Sequence, residues 1–388
     1  MDTADETLEQ GRRPRLMLPG PTEVPAQVLK ALSRPTIGHR GGEFRAVYRR
    51  VRAALGPLFG TTGEVVILPA AGTGGLEAVV ENLFVPGDRV LACVMGVFGE
   101  RFAEVAHRAG LEVDLLEVPF GRAISPAALS ERLARGRYRG VLLTHNETST
   151  GVTMDLEAVA AVLREEGVLV CVDAVSSLGA IPVDMDRLGL DAVVSCSQKA
   201  LMCPPGLALV ALSGRALRVS KLNPRRPLYW DFLQYVRHGE GAGTPYTPAV
   251  NLWFALAVAL DMIHAEGLER VYLRHRGLGA AFRAGIAELV PHYRLFAVEG
   301  PSDTVTAVEV IPPLTPQAVR KRALEDHGLA FAGGQKGLAG KLVRVGHMGY
   351  CSFREIELAL CALADAAGLD PAGALRAAEE AWEGVMGR

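Results

Sequence analysis

The stretch Ser195-Cys196-Ser197-Gln198-Lys199-Ala200-Leu201-Met202-Cys203-Pro204-Pro205-Gly206 organises our interpretation of the whole chain. An apolar run over 192–197 is typical of a buried strand, and it breaks at the polar pair Gln198-Lys199. A Pro-Pro-Gly stop follows, and a second apolar run begins at residue 207. Burial at a strand end would lower the pKa of the Lys199 amine and make it a nucleophile toward carbonyl compounds. A solvated lysine at a strand end is the plainer alternative for this residue taken alone.

Short apolar runs and helix-like stretches alternate around that segment. The apolar runs predict seven strands, at 64–68, 89–94, 112–118, 140–144, 168–173, 192–197 and 207–212. Helical stretches are predicted at 75–84, 101–109, 126–134 and 155–166. Continuous apolar strands alternating with helices favour a mostly parallel sheet that is covered on both faces. In such sheets ligands bind at the carboxyl ends of the strands.

Polar or glycine-rich segments follow several of these strands. Gly72-Thr73-Gly74 lies between a strand and a helix, where glycines and free helix N–H groups suit a phosphate. A tight strand–helix turn is the alternative. The segment Thr144 to Gly151 is dense in hydrogen-bonding groups directly after an apolar strand. Phe98, between two glycines, would either stack on a planar ring or plug the core.

Asp173 ends a run that should be fully buried, so its carboxylate needs a cationic or hydrogen-bonding partner. A salt bridge or a helix cap would serve, and so would the N–H of a pyridine ring. One β-α-β step separates Asp173 from Lys199, which predicts nearby strands of one sheet. Arg344 lies between valines in a predicted strand, either on an exposed sheet face or as a bidentate clamp for a carboxylate.

Composition narrows the function classes. The chain has 388 residues, 49% hydrophobic and 22% charged, with a net charge of −2, which is typical of a globular enzyme and argues against a nucleic-acid partner. None of the six cysteines forms a C-x-x-C pair, so we expect buried free thiols in a reducing cytosol and no metal site. No signal core or membrane span is recognised, so a cytoplasmic location is expected.

The length predicts one large domain and a smaller one. Residues 1–15 are expected to form a flexible arm, 16–270 a large ligand-binding domain and 271–388 a small C-terminal domain. The small domain should alternate strands at 304–311 and 342–345 with helices at 315–327 and 353–367.

Taken together and in order, the motifs resemble the class V aminotransferases of pyridoxal phosphate (PLP) fold type I. The likeness is strongest to the alanine–glyoxylate and serine–glyoxylate (serine–pyruvate) branch and covers about residues 16 to 365. The matching stretches are Pro19-Gly20-Pro21-Thr22, Gly38-His39-Arg40, Gly72-Thr73-Gly74, 144–151, 172–179, Ser197-Gln198-Lys199 and Arg344-Val345-Gly346. The resemblance implies an α/β protein with a mostly parallel seven-stranded sheet in a large domain and a small α/β C-terminal domain.

The resemblance also implies roles. Lys199 would form the Schiff base (the internal aldimine) with PLP and move a substrate proton, and Asp173 would hold the ring nitrogen. The remaining cofactor-binding residues would be Gly72, Thr73 and Gln198 at the phosphate, Phe98 and Val175 on the ring faces, and Thr148 at the phenolic oxygen. Arg344 and Gly20 would bind the substrate. Thr247, or its neighbour Tyr246, would reach the phosphate of the other subunit of a homodimer.

The expected reaction moves an amino group from a small amino acid, such as alanine or serine, to a 2-oxo acid such as glyoxylate or pyruvate. The rival enzyme is a cysteine desulfurase-like lyase, but the loop 330–341 has no cysteine to act as its nucleophile. A PLP-binding regulatory module and a transaminase of an unusual amine, such as an aminophosphonate or pyridoxamine, are further alternatives. The sequence does not identify the amino donor.

Overall fold

The computed structural model describes residues 13–387. Most of the predicted flexible arm, residues 1–12, lies outside the described residues. Arg15, the last residue of that predicted arm, begins a short strand that pairs in parallel with Leu329–Ala330. Its backbone N–H donates to the carbonyl oxygen of Gly328 at 2.8 Å. The pairing ties the start of the described chain to a distant part of the molecule.

The strands within the described residues are, in chain order, β1 (Arg15–Leu16), β2 (Glu64–Leu68), β3 (Arg89–Val94), β4 (Glu112–Glu117), β5 (Gly140–Thr144), β6 (Asn146–Glu147), β7 (Val152–Thr153), β8 (Leu169–Asp173), β9 (Ala192–Cys196), β10 (Ala208–Leu212), β11 (Tyr293–Leu295), β12 (Val305–Val310), β13 (Leu329–Ala330), β14 (Ala332–Gly333) and β15 (Leu342–Gly346).

The α-helices are α1 (Ala26–Leu32), α2 (Gly42–Phe59), α3 (Gly72–Leu83), α4 (Val97–Arg108), α5 (Pro126–Leu133), α6 (Leu156–Leu163), α7 (Met185–Leu188), α8 (Gly214–Leu222), α9 (Phe232–Glu240), α10 (Val250–Glu266), α11 (Leu268–Ala287), α12 (Pro316–His327), α13 (Phe353–Ala367) and α14 (Ala372–Met386). Helix α9 lies in a stretch for which the sequence pattern predicted no helix.

The main sheet has seven strands in the order β2-β10-β9-β8-β5-β3-β4. All neighbours pair in parallel except β10, which is antiparallel to both β2 and β9. The predicted mostly parallel seven-stranded α/β fold is therefore confirmed.

Both faces of this sheet are covered, as its continuous apolar strands require. Val193 packs in one core cluster with residues of α2 and α10, whereas the next residue, Val194, packs in a second cluster with α3. Successive residues of a strand point to opposite faces, so the two clusters lie on the two sides of the sheet.

Strand ends place the candidate residues together. Strands β8 and β9 are parallel neighbours, with Asp173 opposite Val194 in the ladder. Lys199 follows β9 by three positions, after Ser197 and Gln198. Both residues therefore lie at the carboxyl edge of the sheet, where parallel α/β folds bind ligands.

Two helices begin earlier than the apolar pattern indicated. Helix α3 starts at Gly72 and α4 starts at Val97, so Gly72, Thr73 and Phe98 belong to first turns of helices. The N-cap residues Ala71 and Gly96 make no side-chain cap, which removed the usual sequence signal for a helix start.

A second sheet, in the order β11-β12-β15-β14, is antiparallel throughout. Helices α11, α13 and α14 pack with it around the cluster that contains Phe282, Val343 and Ile356. The predicted division at residue 270 falls inside α11 and stays a prediction.

The described residues contain no helix that is both long and apolar enough to cross a membrane. All six cysteines are free thiols.

Gly75 offers a test of how closely α3 approaches the sheet. A Cβ at Gly75 would lie 2.7 Å from Cγ1 of Val194 and 3.2 Å from Cβ of Ala208. Because neither strand side chain can swing away, Gly75→Ala should lower the free energy of unfolding by about 1–3 kcal/mol.

Gly384→Ala is the matched control, since Gly384 also lies in a helix but has nothing within 4 Å of its Cβ position. Gly384→Ala should leave the free energy of unfolding unchanged or raise it by up to about 1 kcal/mol, because alanine favours a helix more than glycine does. Thermal or urea unfolding compares the two. Equal stability of the two variants would contradict the close packing.

Candidate active site

A cavity of about 240 Å³ opens at the carboxyl edge of the main sheet. Nearly all of the residues predicted to bind a cofactor line it, together with Gly20: Gly72, Thr73, Phe98, Thr148, Asp173, Val175, Gln198 and Lys199. With Gly20 included, they come from six separate segments of the chain. A larger concavity of about 780 Å³ lies along α2 and α9 and contains none of these residues.

Lys199 is held at the cavity wall by its backbone and by its amine. Its carbonyl oxygen accepts hydrogen bonds from Oγ1 of Thr22 at 2.8 Å and from the N–H of Met202 at 3.0 Å. Its Nζ donates to the carbonyl oxygen of Pro19. Burial lowers the pKa of the amine, and the charges of Arg344 and Arg101 lower it further, against the opposing effect of Asp173. A lowered pKa increases the neutral, nucleophilic fraction of the amine.

Gly20 makes room for this lysine. A Cβ at Gly20 would lie 2.5 Å from Nζ of Lys199 and 2.6 Å from its Cδ and Cε. Gly20 also has a φ of 129°, a conformation that side chains rarely adopt. The close approach lets the segment that carries Gly20 and Pro21 form one side of the cavity.

Asp173 presents one carboxylate oxygen to the cavity. Its Oδ1 accepts a hydrogen bond from the N–H of Val175 at 2.9 Å, and Oδ2 has no hydrogen-bond partner within residues 13–387. Burial raises the pKa of Asp173 to about 7, and the negative charge of Glu147 adds to this effect. An oxygen in this state is suited to a buried N–H donor, since a charge-assisted hydrogen bond would restore the carboxylate.

The first turn of α3 forms the third part of the cavity. Gly72 and Thr73 line it at the helix N-terminus, where the leading N–H groups have no acceptor within the helix. A Cβ at Gly72 would lie 2.6 Å from Cγ2 of Val175. Gln198 also lines this region, and the N–H₂ group of its side chain is a donor that suits an anion. An anion fits such a group of donors at a helix N-terminus.

Two side chains can bracket a planar ring. Phe98 lies in the first turn of α4, and Val175 follows Asp173 by two residues; both line the cavity. The guanidinium carbon of Arg101 lies 4.8 Å from the centroid of the Phe98 ring, within cation–π range.

Arg344 approaches the same region from β15. Its Nη1 donates to the carbonyl oxygen of Thr148 at 3.0 Å, and its Nε donates to that of Gly333 at 2.8 Å. The residue is only 5% exposed, and burial lowers the pKa of its guanidinium to about 10. It therefore stays charged at neutral pH and has further N–H groups to offer a carboxylate.

Thr247 is separate from this cavity. Together with Tyr246, Thr244 and Tyr235, it lines a small, mostly closed space next to Ile67. The structure therefore does not bring Thr247 to the other predicted residues of its own chain.

Four polar residues near the cavity were not predicted as site residues. Arg101, Asn146 and Ser176 line it, and Glu147 lies behind its wall. Nδ2 of Asn146 donates to Oγ of Ser176 at 2.8 Å and to Oγ1 of Thr304 at 2.9 Å. The dense polar segment 144–151 signalled Asn146 and Glu147, but nothing in it distinguished residues that face a ligand from residues that support the wall.

The arrangement fits an aldehyde cofactor that has a ring nitrogen and a phosphate. Lys199 provides the amine for the aldehyde, and Asp173 has an unpaired oxygen for a ring N–H. The first turn of α3 and the side-chain N–H₂ of Gln198 offer donors that would suit the phosphate. The aldehyde, the ring nitrogen and the phosphate of PLP would thus each face a residue of suitable chemistry on the cavity wall.

Comparison with known proteins points to the same chemistry. A family model described as Aminotransferase class-V matches residues 16–357. The L-aspartate–glyoxylate aminotransferase of Paracoccus denitrificans is 35% identical over 340 residues, which are 86% of this chain and 86% of that protein. The soluble hydrogenase small subunit of Synechococcus is 40% identical over 353 residues, covering 90% of this chain and 91% of that subunit. The crystal structure of an alanine–glyoxylate aminotransferase from Nostoc has a TM-score of 0.87 at 32% identity, covering 92% and 95% of the two chains.

The raised pKa of Asp173 predicts a pH-dependent stability of the cofactor-free protein. An unfolded aspartate titrates near ~3.9, so between that pH and about 7 the folded state binds more protons and loses stability as pH rises. Asp173→Asn removes this loss. Relative to wild type, the variant should therefore gain about 2–3 kcal/mol of unfolding free energy from pH 5 to pH 8.

Urea unfolding of both cofactor-free proteins at several pH values measures this difference. Asp326→Asn, at an exposed position on α12, is the control and should show a constant difference from wild type. If the Asp173→Asn and wild-type stabilities ran parallel across this pH range, the assigned pKa shift would be refuted.

Proposed function

We propose that this chain, which belongs to the class V aminotransferase family, moves an amino group from a small amino acid to a 2-oxo acid. It is a PLP-dependent enzyme, as the family match and its structural neighbours establish. Alanine or serine is the proposed donor type, and glyoxylate or pyruvate the proposed acceptor. The names of the Paracoccus and Nostoc relatives support glyoxylate in particular.

The observation that carries the proposal is the shared cavity of Lys199 and Asp173, with Arg344 beside it. An amine with a lowered pKa and a buried carboxylate are both costly to place together without a ligand. The bound cofactor would supply an electron sink that makes the proton on the substrate Cα acidic.

Each residue has a distinct proposed task. Asp173 would hold a proton at the ring nitrogen, which keeps the ring electron-poor. Gly72, Thr73 and Gln198 would bind the phosphate, while Phe98 and Val175 would fix the plane of the ring. The neutral amine of Lys199 would take the proton from the substrate Cα, and a general base placed in this way contributes about 10²- to 10⁴-fold. Thr148 would contact the phenolic oxygen.

Arg344 would bind the α-carboxylate of the substrate. Two of its N–H groups are already engaged by carbonyl oxygens of Thr148 and Gly333, which fixes the plane of the guanidinium. A planar fork of donors held in this way matches the two oxygens of a carboxylate. Gly20, across the cavity, would allow the substrate to lie close to Lys199.

We further propose a homodimer in which Thr247 or Tyr246 reaches the phosphate site of the other subunit. Leu222 and Leu228 are 83% and 82% exposed, and Tyr229 beside them is stacked on Tyr246 with ring centroids 5.1 Å apart. Exposed large apolar side chains in one region are typical of an interaction surface. A second copy that covers them would bring the segment with Thr247 to a neighbouring cavity.

Transfer of the amino group can be followed in half-reactions of the cofactor-loaded enzyme. Each donor of a panel containing alanine, serine, aspartate, glycine, cysteine, 2-aminoethylphosphonate and pyridoxamine is added singly, and the visible absorbance of the bound cofactor is recorded with the 2-oxo product. We expect a small amino acid to give the fastest change and glyoxylate or pyruvate to reverse it. A fast response only to the phosphonate or to pyridoxamine would contradict the proposal, as would release of sulfur from cysteine.

Lys199→Ala should still fold and bind the cofactor through its phosphate and ring contacts. Because the proton-moving amine is absent, its half-reaction rate should fall by at least about 10²-fold. Lys221→Ala, on the exposed side of α8, should match wild type. Stopped-flow absorbance measures both rates, and unchanged turnover in Lys199→Ala would exclude Lys199 as the catalytic amine.

Arg344→Lys keeps the charge but loses the planar fork. The KM for the amino acid should rise roughly 10- to 150-fold, the loss expected for a charged hydrogen-bond pair, with a smaller change in kcat. Steady-state kinetics with the amino acid and with its decarboxylated amine separate the effects. Equal loss for both substrates would show that Arg344 does not bind the carboxylate.

A further inference from the structure

We propose that Glu147 is a positioning residue for this reaction: as a buried carboxyl cap on α4, it holds Phe98 in place over the cofactor ring. The inference rests on the proposed function, because it assigns a catalytic consequence to the placement of Phe98. Glu147 itself does not line the cavity and would touch neither cofactor nor substrate.

The carboxylate of Glu147 is fully buried and accepts four hydrogen bonds. Oε2 accepts from the backbone N–H groups of Phe98 at 2.9 Å and Gly99 at 3.1 Å. Oε1 accepts from the N–H of Ser149 at 3.0 Å and from its Oγ at 2.6 Å. Oγ of Ser149 in turn accepts from the N–H of Val97 at 3.0 Å. Glu147 and Ser149 thus satisfy the first three N–H groups of α4 from another part of the chain.

The contacts of Oε2 require an acceptor at that oxygen. Both of its partners are backbone N–H groups, so a proton on Oε2 would face a donor, whereas at Oε1 only the N–H of Ser149 is an obligatory donor because the Ser149 hydroxyl can also accept. The positive end of the α4 dipole also favours a negative charge at this point. Burial is the largest influence and leaves the pKa of Glu147 raised, although the four hydrogen bonds to its oxygens oppose that shift.

The backbone of α4 is shaped to admit Glu147. The N-cap residue Gly96 has no side chain to cap the helix, and a Cβ there would lie 2.6 Å from Cγ of Glu147 and 2.5 Å from Oγ of Ser149. A self-capping serine or aspartate at position 96 would therefore displace the distant cap. The helix start depends on Glu147 instead.

Glu147 also affects the two charged groups that face the ligand. A negative charge on Glu147 opposes the lowering of the Arg344 pKa by burial and adds to the raised pKa of Asp173. The next residue, Thr148, accepts the hydrogen bond from Nη1 of Arg344. One short segment therefore fixes the aromatic wall on one side and the carboxylate-binding group on the other.

Glu147→Gln tests the proposal, because the amide keeps the size of the side chain but puts an N–H₂ group against N–H donors. In the cofactor-loaded enzyme, hydrogen–deuterium exchange of a peptide covering 97–101 should speed up roughly tenfold or more. The induced circular dichroism of the visible cofactor band, per bound cofactor, should weaken. The kcat per bound cofactor should fall roughly 10- to 100-fold.

Two further variants frame this result. Glu104→Gln makes the same chemical change on an exposed face of α4 and should alter none of the three readouts. Glu147→Asp keeps the charge with a shorter side chain and should recover part of the dichroism and of kcat. If Glu147→Gln does not fold, Ser149→Ala decides, with changes in the same three directions expected.

A purely structural cap predicts a different pattern. Glu147→Gln would then melt at a lower temperature while the dichroism and kcat per bound cofactor stayed at wild-type values, and this result would overturn the proposal. The exchange and dichroism measurements need no substrate. If the wild-type enzyme failed to transaminate, the proposed function would be refuted. The predicted changes in exchange and dichroism around Phe98 could still be measured and would decide the cap separately.

Discussion

The structure depends on keeping an amine and a carboxylate together in surroundings that disfavour both charges. Burial lowers the pKa of Lys199 and raises that of Asp173, so each group is moved toward its neutral form. Two such groups remain at one place only if the backbone on both sides is rigid. The parallel pairing of β8 with β9 provides this rigidity, because the ladder ends beside Asp173 and the chain reaches Lys199 after a short turn. The surrounding helices cover both faces of these strands and hold the two strand ends in place.

This part of the molecule could be predicted from the sequence because it follows from uninterrupted burial. A strand inside a covered parallel sheet has to be apolar along its whole length, so its end is visible as the first polar residue. Asp173 and the Gln198-Lys199 pair stand out for that reason, and the seven strand positions agree within about one residue. The residues on the wall, including Thr148 and Val175, were placed through the family resemblance, and their presence at one cavity follows from the same strand ends.

Other parts could not be predicted, because their cause lies far away in the sequence. Helix α4 begins at Val97 since Glu147 and Ser149 cap it, and no local pattern around Gly96 shows this. Arg15 is part of a strand only because the chain folds so that Leu329, more than 300 positions later, lies beside it. No residue near Arg15 in the sequence indicates this pairing. The position of Thr247 depends on an aromatic cluster whose exposed side the chain alone does not cover. Contacts with residues distant in the sequence determine such helix starts and strand pairings, and local propensity and periodicity do not reveal them.

The polar segment after β5 explains how the cavity tolerates so many charges. Arg344 is buried, yet it keeps its charge because carbonyl oxygens of Thr148 and Gly333 accept its N–H groups and Glu147 lies within electrostatic reach. The carboxyl group of Glu147 in turn accepts hydrogen bonds from three backbone N–H groups. These donors do not titrate at neutral pH. The acidic charge is thus anchored to a helix end and the basic charge to carbonyl groups. A substrate carboxylate can then approach Arg344 without competing with a salt bridge, since no carboxylate of the described residues lies within salt-bridge distance of its guanidinium.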